Sequence, residues 1–212
     1  MEPYHKIENV FKRDPETHRL IRDEFRMPEF EALRSLQWDV EEKVDGTNIR
    51  VLIDEDGIRY GGRTNRAQLP ADLVQALREM FEPKEEAIRE QFPDGVCLYG
   101  EGYGAGIQKV GKLYRPDKSF VLFDIRVGEW WLSREAVIGL AQQFEIPRMN
   151  HYLMTLDDAI ELVASGLTSE WGDFPAEGVI ARAPAGLRAR SGARIITKIK
   201  TCDFETMERQ TA

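Results

Sequence analysis

The run TNIRVLIDEDGIRYGGRT at positions 47–64 limits what this chain can fold into more than any other stretch. Two β-rich segments flank Asp56-Gly57, and an Asp-Gly pair in that setting is a strong signal for a β-hairpin. GVCLYGE (95–101) and SFVLFDIRVGEWWL (119–132) are dense in β-branched and aromatic residues, which predicts strands, the second a hairpin about Gly128. QWDVEEKV (37–44), EGVIARA (177–183) and RIITKIK (194–200) predict further strands.

Three segments predict helices between these strands. Apolar residues at helical spacing over 69–92 indicate a helix that Pro83 breaks or kinks. Ser133 and Thr155 are predicted N-caps of two more helices, and Gly166 ends the second one. Clusters of strands with a few helices predict an α+β fold with mainly antiparallel sheets. The chain contains no GxGxxG or Walker A loop.

The charge is negative overall but unevenly distributed. A formal net charge of −8 excludes a global basic field that would attract nucleic acid. Positions 182–200 nevertheless contain six cations and no acid: Arg182, Arg188, Arg190, Arg194, Lys198 and Lys200. We expect this run to be the only cationic surface that the sequence supplies.

Cysteine and histidine usage predicts a cytoplasmic protein without a zinc site. Cys97 and Cys202 are far apart, which favours free thiols in a reducing compartment. The three histidines lack metal-ligand spacing. No apolar run approaches the ~18–20 residues of a membrane span, and the N-terminus does not resemble a signal peptide.

Six short segments combine glycines, acids and lysines in a fixed order. They are EKVDGTN (42–48), GGRT (61–64), YGEGYGAGIQK (99–109), FVLFDI (120–125), EGVIAR (177–182) and TKIK (197–200). In order and separation they resemble the motifs of covalent nucleotidyltransferases, the ATP-dependent ligases and mRNA capping enzymes. Gly-Thr-Asn after Lys43, and YHKIEN at 4–9, are most similar to nick-sealing RNA ligases of the phage and RNA-editing type. A single KxDG match is weak, whereas six segments in order are specific.

The resemblance implies a fold and a set of site residues. The fold is an α+β nucleotidyltransferase (adenylation) domain, with two mainly antiparallel sheets and flanking helices around a nucleotide cleft. The implied catalytic residues are Lys43, Lys198, Lys200 and Glu177, with Glu177 also the metal ligand. The implied nucleotide-binding residues are Glu42, Val44, Asn48, Arg63, Glu101, Phe123 and Arg182. Tyr4 and Gln108 are implied nucleic-acid contacts, and the acid-free run adds Arg188 and Arg190.

Several of these residues also have a plain structural interpretation. Lys43 taken alone is a surface lysine, and Glu101 and Glu177 are solvated acids at strand ends. By resemblance Glu101 contacts the ribose hydroxyls and Glu177 holds Mg²⁺, which prefers carboxylate oxygen. Phe123 is most simply a core residue, while the family role stacks its ring on adenine; one ring can do both.

The chemistry that the resemblance implies requires a neutral lysine. Lys43 attacks the α-phosphate of ATP only as the free amine, which calls for a pKa well below the usual ~10.4. Lys198, Lys200 and bound Mg²⁺ are the candidate neighbouring cations. Lys198 and Lys200 alternate along a predicted strand, so both side chains lie on one face.

Two departures from the family pattern stand out. Ligases and capping enzymes typically continue after the KxK lysines into an OB-fold or helical domain, whereas twelve residues follow Lys200 here. We therefore expect residues 1–212 to form a single nucleotidyltransferase domain without a C-terminal domain, with a protein partner as a candidate replacement. Glu41 also occupies a position where the phage-type relatives carry a basic residue.

The predicted function is an ATP-dependent polynucleotide ligase, acting on RNA with Mg²⁺, or Mn²⁺ in its place. Lys43 takes AMP and passes it to a 5′-phosphate end, and a 3′-hydroxyl displaces the AMP. The substrate is RNA with 5′-phosphate and 3′-hydroxyl ends, in a nicked duplex or an RNA/DNA hybrid. Two alternatives remain: a GTP-using capping-type guanylyltransferase, and a non-catalytic nucleotide- or RNA-binding subunit.

Overall fold

The computed structural model describes residues 1–204 and shows a mixed α+β chain. Its strands are β1 Glu8–Asn9, β2 Phe11–Arg13, β3 Leu20–Phe25, β4 Gln37–Glu42, β5 Thr47–Asp54, β6 Gly57–Gly61, β7 Val96–Gly104, β8 Lys118–Val127, β9 Trp130–Trp131, β10 Tyr152–Thr155, β11 Gly178–Arg182 and β12 Ile196–Lys200. Its helices are α1 Pro28–Ala32, α2 Ala71–Phe81, α3 Glu85–Gln91, α4 Gly111–Tyr114, α5 Arg134–Gln143 and α6 Leu156–Ala164. The chain divides into two compact units, each with its own sheet and core.

The first unit comprises residues Met1–His5 and Asp45–Met149. Its five-stranded antiparallel sheet has the order β6-β5-β7-β8-β9. Helices α2, α3 and α5 cover one face through residues such as Leu73, Ile88 and Val137, which pack with Ile49 and Leu98 of the sheet. Burial of these apolar side chains is the main force that holds the helices to the strands.

The second unit comprises Lys6–Val44 and the chain from Asn150 onward. Its five-stranded sheet has the order β1-β12-β11-β4-β10, antiparallel except for the β1–β12 pair. Helix α6 packs on it through Leu156, Ala159 and Val163, and strands β2 and β3 form a separate hairpin. The β4 strand lies between β11 and β10, and its buried residues Trp38 and Val40 anchor it before the chain reaches Lys43.

The local signals in the sequence correspond to observed turns and caps. Asp54 pairs with Gly57, which places the predicted hairpin turn at 55–56. Pro83 lies in a 3₁₀ turn between α2 and α3, as its missing N–H requires. Ser133 caps α5, and Thr155 forms a capping box with Asp158 at the start of α6. The prediction of an α+β fold with two mainly antiparallel sheets is confirmed, and the β2–β3 hairpin is additional.

Both cysteines are free thiols, Cys97 buried and Cys202 exposed. Within residues 1–204, no helix has the length and apolarity needed to cross a membrane.

Candidate active site

Lys43 stands directly after strand β4, an interior strand of the second unit's sheet. Its backbone N–H donates to the carbonyl oxygen of Gly178 at 2.8 Å, which fixes the start of its side chain. Its ammonium group donates to Glu177 Oε2 at 2.7 Å. The side chain is 24% exposed, so Lys43 is a half-buried, paired lysine and the plain surface interpretation is wrong.

Glu177 holds two lysines at once. Its Oε1 lies 2.7 Å from Lys200 Nζ, while its Oε2 accepts from Lys43. The sheet register explains this meeting, because β11 lies between β4 and β12 and places Gly178 opposite Lys200. Gly178 has φ +145°, and a Cβ there would lie 2.8 Å from the Lys200 Cα. The close approach of these two strands therefore requires glycine beside Glu177.

Lys198 and Lys200 lie on one face of β12, as their alternation predicts. Thr197 and Ile199 between and beside them are buried. Burial lowers the pKa of Lys198, and the charges of Lys200 and Lys43 lower it further. Burial is the largest single influence on Lys200 and lowers its pKa, but the hydrogen bond to Glu177 and the charge attraction of Glu177, Cys202 and Asp203 together raise it. The two lysines are thus electrostatically distinct although they are neighbours.

Glu41 and Arg182 form a buried ion pair next to this cluster. Arg182 Nη2 lies 2.7 Å from Glu41 Oε1, and both side chains are nearly inaccessible. Arg182 is the last residue of β11 and lies diagonally across from Glu41 on β4. The acidic residue that departs from the family pattern is therefore compensated by the arginine predicted to contact phosphate.

Glu42 anchors a loop of the second unit to strand β4. Its carboxylate accepts from the Ser169 hydroxyl and from the Glu170 N–H, each at 2.7 Å. Burial raises the pKa of Glu42, and these two hydrogen bonds act in the opposite direction. The adjacent Val44 is buried. Ser169 and Glu170 were not identified from the sequence, because a loop contact 127 residues away leaves no periodic signal.

In the first unit, the Asp-Gly turn after Lys43 packs closely against β7. A Cβ at Gly46 would lie 2.7 Å from Glu101 Cγ, so the glycine is required by close approach. Asn48 pairs with Glu101 in the β5–β7 register. The Asn48 Oδ1 atom is buried and has no hydrogen-bond partner within the described residues. Gln108 Nε2 donates to the Gly46 carbonyl at 2.9 Å.

Phe123 is the extra residue of a β-bulge in β8. Tyr99 pairs with Asp124 and Gly100 with Leu122, which leaves Phe123 outside the register. Bulges redirect side chains and are frequent beside active sites. Phe123 is half-buried, and its ring packs edge-on against Tyr4 at 5.1 Å. One part of the ring is packed and another is accessible, which suits both interpretations of this residue.

The remaining predicted residues are Arg63, Tyr4, Arg188 and Arg190. Arg63 is exposed in the loop after β6 and forms no ion pair in the part of the chain that the structure describes. Tyr4 donates its hydroxyl to Asp124 at 2.8 Å and is half-buried in the first unit. Arg188 and Arg190 are exposed on a hairpin in which Arg188 pairs with Arg194.

The side chains present fit a magnesium ion that is shared with a substrate. Within residues 1–204, no group of three His, Cys, Asp or Glu side chains could hold a metal by itself. Mg²⁺ is usually bound through one or two carboxylates together with substrate phosphates and water. Glu177 supplies such a carboxylate, and the orphaned Asn48 Oδ1 is a separate polar atom that lacks a partner.

The sequence model of the RNA ligase family matches residues 36–200, so the chain belongs to the RNA ligase family. Solved structures of Naegleria gruberi RNA ligase share its fold. The structure with PPi has a TM-score of 0.71 at 18% identity and covers 99% of this chain and 58% of that chain. An apo variant gives 0.70 and 18%, covering 97% and 57%. A variant with ATP and Mn gives 0.69 and 18%, covering 95% and 57%.

This chain thus spans less than two thirds of the length of those solved chains. No curated protein sequence matches it.

Proposed function

We propose that this chain is an ATP-dependent RNA ligase that uses Lys43 as its covalent nucleophile. The observation that carries the proposal is the shared ion pair of Glu177 with Lys43 and Lys200, inside the region that matches the RNA ligase family. Lys43 is the lysine of the KxDG motif, it is bonded to a carboxylate, and cations surround it. This arrangement suits phosphoryl transfer. An ordinary surface lysine would not be fixed on both its backbone and its side chain.

The first step is adenylation of Lys43. The neutral Nζ attacks the α-phosphorus of ATP and releases one proton to solvent, an N–P bond forms, and the bond to the pyrophosphate oxygen breaks as pyrophosphate leaves with the electron pair. Glu177 orients the amine through its 2.7 Å hydrogen bond. Lys198 and Lys200 lie in the same cluster and compensate negative charge that develops on the phosphates.

The metal would be held by Glu177 together with the substrate phosphates. Mg²⁺ or Mn²⁺ supplies charge neutralisation at the phosphates when it is bound. Naegleria gruberi RNA ligase, which shares the fold, has been solved with ATP and Mn and with AMP and Mn, which supports this assignment.

The remaining nucleotide contacts are assigned by family position. Glu101 contacts the ribose, Phe123 stacks on the adenine, and Asn48 gains the partner that its buried oxygen lacks. Arg63 supplies an exposed cation to the phosphates. Arg182 acts from within its ion pair with Glu41. Glu42 and Val44 complete the set next to Lys43.

The later steps act on RNA. Lysyl-AMP passes AMP to a 5′-phosphate end, and a 3′-hydroxyl then displaces AMP to form the phosphodiester. Nicked duplex or RNA/DNA hybrid is the proposed substrate, with Tyr4, Gln108, Arg188 and Arg190 as contacts. We further propose that residues 1–212 act as one nucleotidyltransferase domain, together with a protein partner, in the cytoplasm.

The test is covalent labelling followed by nick sealing. The protein is incubated with ATP or GTP labelled at the α-phosphate, with and without Mg²⁺, and the labelled peptide is mapped by mass spectrometry. We expect ATP, and not GTP, to leave an acid-labile AMP on Lys43. We also expect the protein to seal a 5′-phosphorylated RNA nick. Labelling by GTP would indicate a capping-type enzyme, and absence of any covalent label would indicate a non-catalytic subunit.

A further inference from the structure

The segment 106–118 of the first unit is a second basic stretch. It contains Lys109, Lys112, Arg115 and Lys118 against a single acid, Asp117. Arg115 is bonded to Asp117, and Lys118 is bonded to Asp72. Lys109 and Lys112 are exposed and form no ion pair within residues 1–204. The prediction that 182–200 is the only cationic surface is therefore wrong.

The segment that carries these two lysines is anchored to the first unit on both sides. Ile107 and Tyr114, on either side of them in sequence, are 5% and 7% exposed and tie the segment to the body of the unit. The Ala105 N–H donates to the Arg115 carbonyl at 3.1 Å and closes the segment at its base. Cations whose backbone is already ordered lose less conformational entropy when they bind an anion.

The segment 106–118 is also hydrogen-bonded to the turn that follows Lys43. The Tyr114 hydroxyl accepts from the Asp45 N–H at 3.1 Å, and Gln108 Nε2 donates to the Gly46 carbonyl at 2.9 Å. Asp45 and Gly46 come directly after the EKV segment that carries Lys43. Anything bound by Lys109 and Lys112 is therefore close to the Asp-Gly turn of the nucleophile motif.

We propose that Lys109 and Lys112 form a phosphate-binding surface of the first unit for the RNA strand. The inference rests on the proposed function, because membership of the RNA ligase family favours RNA over an acidic protein as the polyanion. Lys109, in the turn before α4, and Lys112, in α4, present two unpaired ammonium groups that suit backbone phosphates, which bind without reading the bases. Leu113 beside them is 45% exposed and suits the apolar face of a sugar or base.

The experiment compares Lys109→Ala/Lys112→Ala with a matched control, Lys12→Ala/Lys84→Ala, which removes the same charge from other surfaces. Fluorescence anisotropy measures binding of a labelled, 5′-phosphorylated nicked RNA duplex over a range of NaCl concentrations. For the test pair we expect affinity to fall at least about tenfold near 0.1 M salt and the log–log salt slope to fall by about 1.5. The control pair should keep the wild-type slope.

Several outcomes would overturn the inference. The first is a salt slope of the test pair equal to that of the control, and the second is an absence of RNA binding by the wild type. The third is loss of RNA-independent labelling by ATP in the test pair, which would place the two lysines at the nucleotide. Failure of the proposed function is seen separately, as absence of covalent AMP on the wild-type protein, because the binding assay requires no chemistry. Thermal melting confirms that each variant is folded.

Discussion

The charged residues around Lys43 in the second unit and the exposed cations of the first unit are in opposite electrostatic states. Around Lys43 the charged groups form ion pairs: Glu177 with Lys43 and Lys200, and Glu41 with Arg182. In the first unit, Arg63, Lys109 and Lys112 form no ion pair within the described residues. Substitutions in the paired set leave a partner charge uncompensated and should be strongly coupled, whereas those in the unpaired set should act independently.

The largest effect is expected from Lys43→Ala, which removes the nucleophile of the paired set. Covalent AMP should fall below detection, because no other lysine of the KxDG segment is present. The melting temperature should change by only a few degrees, since the side chain is partly solvated. Labelling with α-phosphate-labelled ATP measures the first quantity, with Lys84→Ala as control. A labelled alanine variant would remove Lys43 as the nucleophile.

The next effect concerns coupling around Glu177. We expect Glu177→Gln to slow adenylation by roughly 10²-fold and to raise the Mg²⁺ requirement, because a carboxylate that orients Lys43 is lost. Combined with Lys200→Met, the loss should be about tenfold smaller than the product of the single effects, since the two groups share one ion pair.

Combined with Arg63→Ala, the losses should multiply. Single-turnover rates of lysyl-AMP formation decide the question. Equal coupling in both combinations would show that the paired and unpaired sets do not differ in the way the structure indicates.

A smaller effect is expected from Arg188→Ala/Arg190→Ala on the exposed hairpin of the second unit. RNA affinity should weaken severalfold and the log–log salt slope should flatten by roughly one to two units, because phosphate contacts release counterions. Adenylation does not involve the strand, so its rate tests whether these arginines belong to the nucleotide instead. An unchanged salt slope would indicate that other surfaces, such as Lys109 and Lys112, bind the strand.

The smallest effect is a pH-dependent change in stability at Lys198. Its folded-state pKa is lowered by burial and by Lys200 and Lys43, so the folded state binds the proton less tightly than the unfolded state. Stability linked to this group therefore rises as the pH increases from the folded pKa toward 10.5. Lys198→Met should be slightly more stable than wild type at pH 7, and the difference should shrink toward pH 10. Paired thermal melts across this range measure it, and a constant difference would contradict the assignment.

The sequence by itself determined strands β4 to β9, β11 and β12, the hairpins, the helix caps and the order of the six motifs, but not β1 to β3 or β10. These depend on interactions within a few residues, such as the Thr155 capping box and the Asp54–Gly57 turn. The alternation of Lys198 and Lys200 also required no tertiary information, because period-two geometry is a property of any strand. The candidate site residues, by contrast, were identified from the resemblance of the six motifs to a known family.

Only the tertiary structure decided which of these residues meet. The contact of Lys43 with Glu177 spans 134 residues and depends on β11 pairing beside β4, which no local pattern specifies. The bulge at Phe123 likewise comes from the pairing of β8 with β7. Without the bulge, the alternation that places Phe120 and Leu122 in the helix-covered core of the first unit would place Asp124 there as well. With the bulge, Ile125 occupies that core position and Asp124 accepts a hydrogen bond from the Tyr4 hydroxyl. Strand register is set by packing of the whole sheet, so side-chain direction at these points could not be determined from the sequence alone.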